Sequence, residues 1–438
     1  MNLRGKRVRG TFIHAPVRGA IEVLDDAVIS VGPDGAITAT GTGDADMMLP
    51  PGTIVLPGFV DTHIHAPQYP QLGQALDVPL EVWLGKYTFP LEAQYADLDF
   101  ARPRYTALVD DLIANGTTTA LYFATVHLEV TKLLADICAR KGQRALVGKV
   151  VMDDAAANPD YYRDSSTEDA ISDTRALIDH VRGLPSDGRV LPVVTPRFIP
   201  SCTDAGLAAL GALAQECGCH VQTHASESDW AHGHALARYG KTDTEALDGF
   251  GLLGRRTVLA HANFLTDADM ERITGKGAAV AHCPVSNMYF ANSVFPLRHA
   301  LEKGVHVGLG TDISGGPIAS IWEAARGAVQ ASRMLEDGVD PGRPPDERGR
   351  PNSRIDMATA FHLATAGGGE ALDLPVGTFA VGQKFDATLI DPATASGTVR
   401  LFGESDPIAI LEKILYTASR PNIRSVWVDG LRIGGAAE

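Results

Sequence analysis

The sequence predicts an α/β protein: a (β/α)8 barrel carrying a small β-sandwich built from the two ends of the chain. Three observations carry this. First, apolar β-type runs lie at 53–60, 117–123, 144–152, 190–198, 220–225, 257–262, 278–282 and 306–310. Helical patterns at 102–115, 127–141, 167–182, 203–217, 229–239, 266–275 and 295–303 separate most of them. Strands alternating with helices in this way read as a parallel barrel. Second, both ends of the chain read as β-structure with no core of their own. Third, 45 of 438 residues are glycine, above the ~7% average, as a fold with many strand–helix joints needs.

At the N-terminus, Leu24-Asp25-Asp26-Ala27-Val28-Ile29-Ser30-Val31 is followed by Pro33-Asp34-Gly35 and then Ala36-Ile37-Thr38-Ala39. Asp-Gly between apolar runs signals a hairpin. The C-terminus has the same texture in Asp386-Ala387-Thr388-Leu389-Ile390 and Ser425-Val426-Trp427-Val428-Asp429-Gly430-Leu431-Arg432-Ile433. These predict a sandwich from residues 1–56 and 370–438 around a barrel at 57–369. Gly116, Gly142, Gly183 and Gly240 stand where left-handed helix caps are expected. Further helices are predicted at 317–337 and 355–366, with a loop at 338–354 between them. No Gly-x-Gly-x-x-Gly follows the first strand, which argues against an open doubly wound sheet.

Lys and Arg number 38 against 53 Asp and Glu, a formal charge of −15. Such a surface repels phosphate backbones, so no nucleic-acid partner is expected. The five cysteines, Cys138, Cys202, Cys217, Cys219 and Cys283, are odd in number and show no disulfide framework. No run approaches the length of a membrane span, and the first residues lack an apolar leader core. The expectation is a soluble, reduced, cytoplasmic protein with no membrane partner.

The chemistry is expected where barrel strands end at their C-terminal face. The first strand runs into Asp61-Thr62-His63-Ile64-His65. Side-chain direction repeats every two residues in an extended segment, so His63 and His65 point the same way and can grip one metal ion. The fifth strand ends in Thr223-His224-Ala225-Ser226-Glu227, the sixth in Ala260-His261-Ala262 and the eighth in Gly310-Thr311-Asp312. Each alone could merely satisfy backbone groups at a barrel mouth. Together, imidazoles and a carboxylate suit a divalent ion, with zinc first and iron or another transition metal as alternatives. Glu227 sits where a loop enters a helix. It can serve as a general base beside the metal, or simply as a carboxylate favoured by the helix dipole.

This combination resembles the amidohydrolase superfamily, in its single-metal branch, and the resemblance spans nearly the whole chain. Within that branch it is similar to the guanine deaminases. The similarity rests on Pro57-Gly58-Phe59-Val60-Asp61-Thr62-His63-Ile64-His65-Ala66-Pro67-Gln68-Tyr69 and Trp83-Leu84-Gly85-Lys86-Tyr87-Thr88-Phe89-Pro90-Leu91-Glu92. Asn115-Gly116-Thr117-Thr118-Thr119-Ala120 and Val194-Thr195-Pro196-Arg197-Phe198 add to it. The resemblance implies that His63, His65, His224 and Asp312 bind one zinc per chain. It implies that Glu227 and Asp312 move protons and that His261 orients the attacking water. Gln68 and Arg197 would hydrogen-bond a purine, with Phe198 on its ring and His224 also at the substrate. An amide and a guanidinium suit the polar edge of a flat ring, and an aromatic suits its face.

Other readings stay open for individual residues. Gln68 could cap a loop, Arg197 could make a surface ion pair, and Phe198 could be core. Trp83 and Tyr87 could close over the site, but their helical spacing favours core packing. His282 is expected at most to support a ligand, and His232 and His234 are expected on an exposed helix face. The stretch Ser228-Asp229-Trp230-Ala231-His232 departs from the Asn-rich continuation usual in the family.

The implied reaction is hydrolysis of free guanine to xanthine and ammonia, by a homodimer as the family suggests. Alternatives are an amidohydrolase acting on another purine, a pterin or a triazine, as deaminase or chlorohydrolase. A non-catalytic binding protein on the same barrel is a reading of another class. A two-metal enzyme would need a bridging carboxylated lysine at a strand end. Lys149, the one tempting candidate, falls inside the third strand run.

Overall fold

The computed structural model describes residues 2–435. Eight parallel strands form the barrel: β1 (Phe59–His65), β2 (Thr117–Phe123), β3 (Arg144–Gly148), β4 (Val190–Pro196), β5 (His220–Ala225), β6 (Thr257–His261), β7 (Ala279–His282) and β8 (His306–Leu309). Each pairs with the next in chain order. All seven residues of β1 and of β2 are buried, as expected for strands covered on both faces.

The barrel closes between β8 and β1. Thr62 Oγ1 donates to the Leu309 carbonyl at 2.9 Å, and the Asp312 amide to the His63 carbonyl at 2.9 Å. The Asp61 carboxylate accepts from the Thr311 amide at 3.0 Å and its hydroxyl at 2.5 Å. This closure needs glycine at 310. A Cβ there would stand 2.8 Å from Cys283 Sγ and 2.9 Å from His63 Cβ.

The helices that separate the strands carry their own stop and start signals. Ser166 caps Thr167–Arg182, and Thr266 forms a capping box with Asp269 at Asp267–Lys276. Gly142 and Gly240 end their helices with φ of 78° and 63°. Gly183 does not, because its φ is −80°. No helix or strand forms between Gly338 and Asp356. Among the described residues no helix is long and apolar enough to cross a membrane.

Two predicted strands are each two. The run at 53–60 divides at Gly58 into Ile54–Pro57, which belongs to the second sheet, and β1. A Cβ at Gly58 would lie 2.1 Å from Thr118 Oγ1. The run at 144–152 breaks at Lys149, between β3 and a short strand at Val150–Val151. The helical stretches from Leu80 to Ala93 and at Asp243–Gly249 and Pro284–Phe290 lie outside the predicted helices. The last two are too short for a 3.6-residue period to declare itself, and the first is two short α-helical pieces joined by a π turn at Leu84–Thr88.

The terminal segments make one hydrogen-bonded sheet. Its order is Leu431–Gly434, Ile423–Val428, Ala387–Ile390, Ile54–Pro57, Arg7–Val17, Ala20–Val31 and Ile37–Gly41. Met47–Met48 adds to Arg7–Val17. The sheet curls on itself: the Phe385 amide bonds the Gly35 carbonyl at 2.8 Å and the Ile37 amide bonds Gln383 at 2.7 Å. Phe12, Val55, Phe379, Phe385 and Trp427 fill the space between its halves. The sandwich is thus a single sheet folded over one core. It meets the barrel through Arg144 at the start of β3, which pairs with Asp386 at 3.0 Å and Asp429 at 2.6 Å.

Candidate active site

His63 and His65 end β1, His224 lies near the end of β5 and His261 ends β6. Asp312 follows β8. Ser226, His261, Ala262 and Asp312 all hold φ between 47° and 70°. Such backbone is uncommon for residues other than glycine and clusters at functional sites. Here it turns the chain sharply at the strand ends, so that the side chains aim over the barrel axis.

His63, His65 and His224 bring ligand atoms within 4.8 Å of one another, as do His63, His261 and Asp312, and His224, Glu227 and His261. His63 Nε2 lies 3.1 Å and His65 Nε2 3.6 Å from Asp312 Oδ1. His224 Nδ1 donates to the Arg197 carbonyl at 2.6 Å. That fixes the tautomer and turns the Nε2 lone pair inward. His224 Nε2 then faces His65 Nε2 at 2.9 Å. His65 Nδ1 and His261 Nε2 are buried with no hydrogen-bond partner in the protein.

Burial pushes the His65 and His224 imidazoles well below their ordinary pKa, and neighbouring imidazoles push the same way. Burial likewise lowers His63. Burial alone would raise Asp312. The imidazoles of His63, His261 and His65 outweigh it and hold the carboxyl well below the usual range. Neutral imidazoles converging with an ionised carboxylate are the donor set a divalent cation takes. The residues present therefore fit a divalent-metal site.

Glu227 Oε1 stands 3.6 Å from His261 Nε2, and Asp312 Oδ2 stands 3.8 Å from it. Burial raises the Glu227 carboxyl. His261 is steered by Asn287, whose Oδ1 accepts from its Nδ1 at 2.9 Å. Asn263 Nδ2 donates to the Glu227 carbonyl at 2.9 Å.

One wall beside this cluster is a buried polar set. Arg197 Nη1 and Nη2 bond the two oxygens of Glu92 at 2.6 and 3.2 Å. Gln68 Nε2 donates to Glu92 Oε1 at 2.8 Å, and Gln68 Oε1 accepts from the Ser314 amide at 3.0 Å. Arg197 is 2% exposed, so it makes no surface ion pair. Phe198, 5% exposed, lies against His224 with ring centroids 6.1 Å apart. Leu80, Trp83, Leu84 and Phe290 complete the enclosure. Trp83 packs on Phe290 at 5.2 Å. Tyr87 does not line the cavity. The space left is about 20 Å³, room for about one water.

Several residues differ from expectation. His232 and His234 are half-buried rather than exposed. His232 Nδ1 stands 3.1 Å from Ser226 Oγ and 3.3 Å from Asp243 Oδ2. His282 packs on Phe295, and burial holds its imidazole down at about 3. It joins none of the metal-holding groups found among the described residues. Lys149 lies just past the end of β3 rather than inside a strand, but its Nζ is held by Asp164 at 2.5 Å. That leaves no free amine there to bridge two metals.

Glu92 and Asn287 had no assigned role in the sequence reading. Glu92 stood inside a quoted motif, yet only the fold brings it to Arg197, 105 residues away.

Residues 54–433 match the Amidohydrolase family. The chain is 35% identical to a guanine deaminase of Dictyostelium discoideum over 460 residues, covering 98% of each chain. It is 40% identical to a probable guanine deaminase of Schizosaccharomyces pombe over 393 residues, 88% of this chain and 72% of that one. A solved guanine deaminase from C. acetobutylicum, with guanine bound in its active site, superposes with a TM-score of 0.89. It is 30% identical, and the match covers 98% of this chain and all of that one. This chain belongs to the amidohydrolase family, in the branch that contains these guanine deaminases.

Proposed function

We infer that this chain deaminates guanine to xanthine and ammonia. The observation that carries the reading is the wall formed by Gln68, Glu92 and Arg197 beside the His63–His65–His224–Asp312 cluster. Glu92 offsets the Arg197 charge at 2.6 Å, so the wall presents hydrogen-bonding groups without net charge. That suits an uncharged, polar-edged base. Gln68 has one amide N–H and a second carbonyl lone pair beyond its protein bonds, and these serve the purine edge. Phe198 covers a face of the ring. Relatives named guanine deaminases at 35% identity over 98% of both chains support the substrate.

The ion at His63, His65, His224 and Asp312 is zinc in this reading. When bound, it supplies Lewis acidity that brings a water's pKa near neutrality. Glu227 would take a proton from the attacking water and pass it to the ring nitrogen beside the amino-bearing carbon, which makes the carbon electrophilic. His261 Nε2, which makes no hydrogen bond within the protein, orients the attacking oxygen. Asp312 holds charge and relays the second proton, and ammonia leaves once the amine is protonated. A carboxyl raised by burial suits Glu227 to both accepting and delivering a proton. Enclosure by Trp83, Leu84 and Phe290 keeps bulk water away from the charges. Cytoplasmic residence and a homodimer belong to the same proposal.

The test measures xanthine formed from guanine together with metal content. The expected result is one divalent ion per chain, with guanine outpacing adenine, pterins and triazines in ammonia release. Faster release from any of those rings would overturn the substrate, and about two ions per chain would overturn the single-metal site.

A further inference from the structure

The stretch following Glu227 takes no part in the chemistry above. It opens the helix Asp229–Tyr239, which Ser228 caps, and it places Trp230 and His234 four residues apart on one helix face. Trp230 is 41% exposed, and its ring lies 5.8 Å from that of Phe198 at a tilt of 58°. Beside these rings is a second cavity of about 490 Å³, walled by Leu84, Phe89, Tyr161, Phe198, Trp230 and His234 among others. His234 Nε2 has no hydrogen-bond partner in the protein.

Leu84 and Phe198 line both this cavity and the catalytic one. They are a partition with a roomy aromatic chamber on one side and space for about one water on the other. A two-ring base does not fit the inner space until the partition moves. It does fit the outer one, which falls in the size range of small-molecule sites. Its rings offer the stacking surface that any flat base can use.

We propose that the outer cavity is a binding subsite for the uncharged purine base. There the base stacks on the exposed face of Trp230, beside Phe198, before the Leu84–Phe198 partition admits it to the catalytic cavity. This rests on the guanine reading for the inner site. Binding outside and admission inside act in series, so the occupancy of the outer site multiplies the rate of productive capture. Weakening it lowers kcat/KM by the same factor and leaves the turnover of already admitted base unchanged.

The test compares steady-state kinetics of the metal-loaded wild type, Trp230→Ala and Trp230→Phe. Trp230 does not line the catalytic cavity. The expected result for Trp230→Ala is a fall of about tenfold in kcat/KM for guanine, in line with the loss of one stacking partner, with kcat within about twofold. Trp230→Phe, which keeps a ring, should restore both values to within about twofold of wild type. Unchanged kcat/KM in Trp230→Ala would overturn the subsite. So would a parallel loss of kcat, or failure of Trp230→Phe to rescue. If the wild type turns over another ring and not guanine, the inner-site reading fails by itself. The same variant ratios, taken on that ring, then decide the outer subsite.

Discussion

At the N-terminal ends of the barrel strands, buried charge is met by buried counter-charge. Arg144 Nε and Nη2 bond Asp386 at 3.0 and 3.2 Å, Arg144 Nη2 bonds Asp429 at 2.6 Å, and the Asp429 amide donates to Asp386 at 2.8 Å. At the C-terminal ends, burial is as deep and the pairing is incomplete. His65 Nδ1 and His261 Nε2 lack partners, and like imidazoles face each other at 2.9 Å. Charges satisfied by the protein fasten one domain to another. Nitrogens left unsatisfied in a buried site have a free-energy cost that a ligand can offset. The contrast is one of degree, since Arg189 Nε and Thr117 Oγ1 at the N-terminal ends are also buried without partners; what marks the C-terminal ends is that imidazoles and carboxylates converge there within 4.8 Å of one another.

Glu227→Gln is the sharpest way to break this contrast. Turnover should fall roughly 10²–10⁴-fold, while metal content and melting temperature stay at wild-type values. Near-normal ammonia release would remove Glu227 from the chemistry. At the opposite end, Arg144→Met leaves Asp386 buried without its cation, while Asp429 keeps Arg189 at 3.4 Å and Arg4 at 3.7 Å. Stability should drop by about 3–5 kcal/mol in denaturant unfolding, as for other broken buried pairs. The kcat of the folded fraction should hold. A loss of kcat without a loss of stability would show that the two ends are not separate in function.

Glu92→Gln probes the boundary between the two kinds of charge, since Glu92 is fully paired yet stands directly behind Gln68 and Arg197, which line the inner cavity. Losing a hydrogen bond to a charged group should raise KM for guanine about tenfold or more, with a smaller change in kcat. A change in kcat alone would place Glu92 among the proton-moving groups instead.

The smallest effect is expected at His232. Its hydrogen bond to Asp243 raises the imidazole above its ordinary 6.5. The folded state therefore binds this proton more tightly than the unfolded chain does. Its stabilising contribution is present in full below about pH 6.5 and is lost as the pH rises through the higher, folded value. Removing the imidazole in His232→Gln should flatten the melting-temperature profile as the pH rises above about 6.5. An unaltered slope would exclude His232 as its source.

The alternation of strand and helix, the pairing of the chain ends, and the polar residues at four strand ends were all legible in the sequence. Each depends on local signals: a two-residue period, a helix-stopping glycine, a His-x-His that must face one way in extended backbone. A (β/α)8 barrel brings the C-terminal ends of its strands to one face, so listing strand ends is enough to assemble the cluster of His63, His65, His224, His261, Asp312 and Glu227.

Contacts between segments without a period of their own were decided only by tertiary structure. The segment Leu80–Ala93 carries no clear pattern, yet it roofs the cavity and delivers Glu92 to Arg197 and Gln68. Asn287 reaches His261 from another short helix. Lys149 changed from a strand residue to one beyond a strand end, and its partner Asp164 could not be read from spacing. His232 became half-buried because Ser226 and Asp243 meet it from other turns. The sequence determined which chemical groups stand at the barrel mouth, because local backbone geometry sets that. Packing across long loops decided which of them are neutralised, which are left unpartnered and how little space remains between them. Those properties depend on distances between residues far apart in the chain.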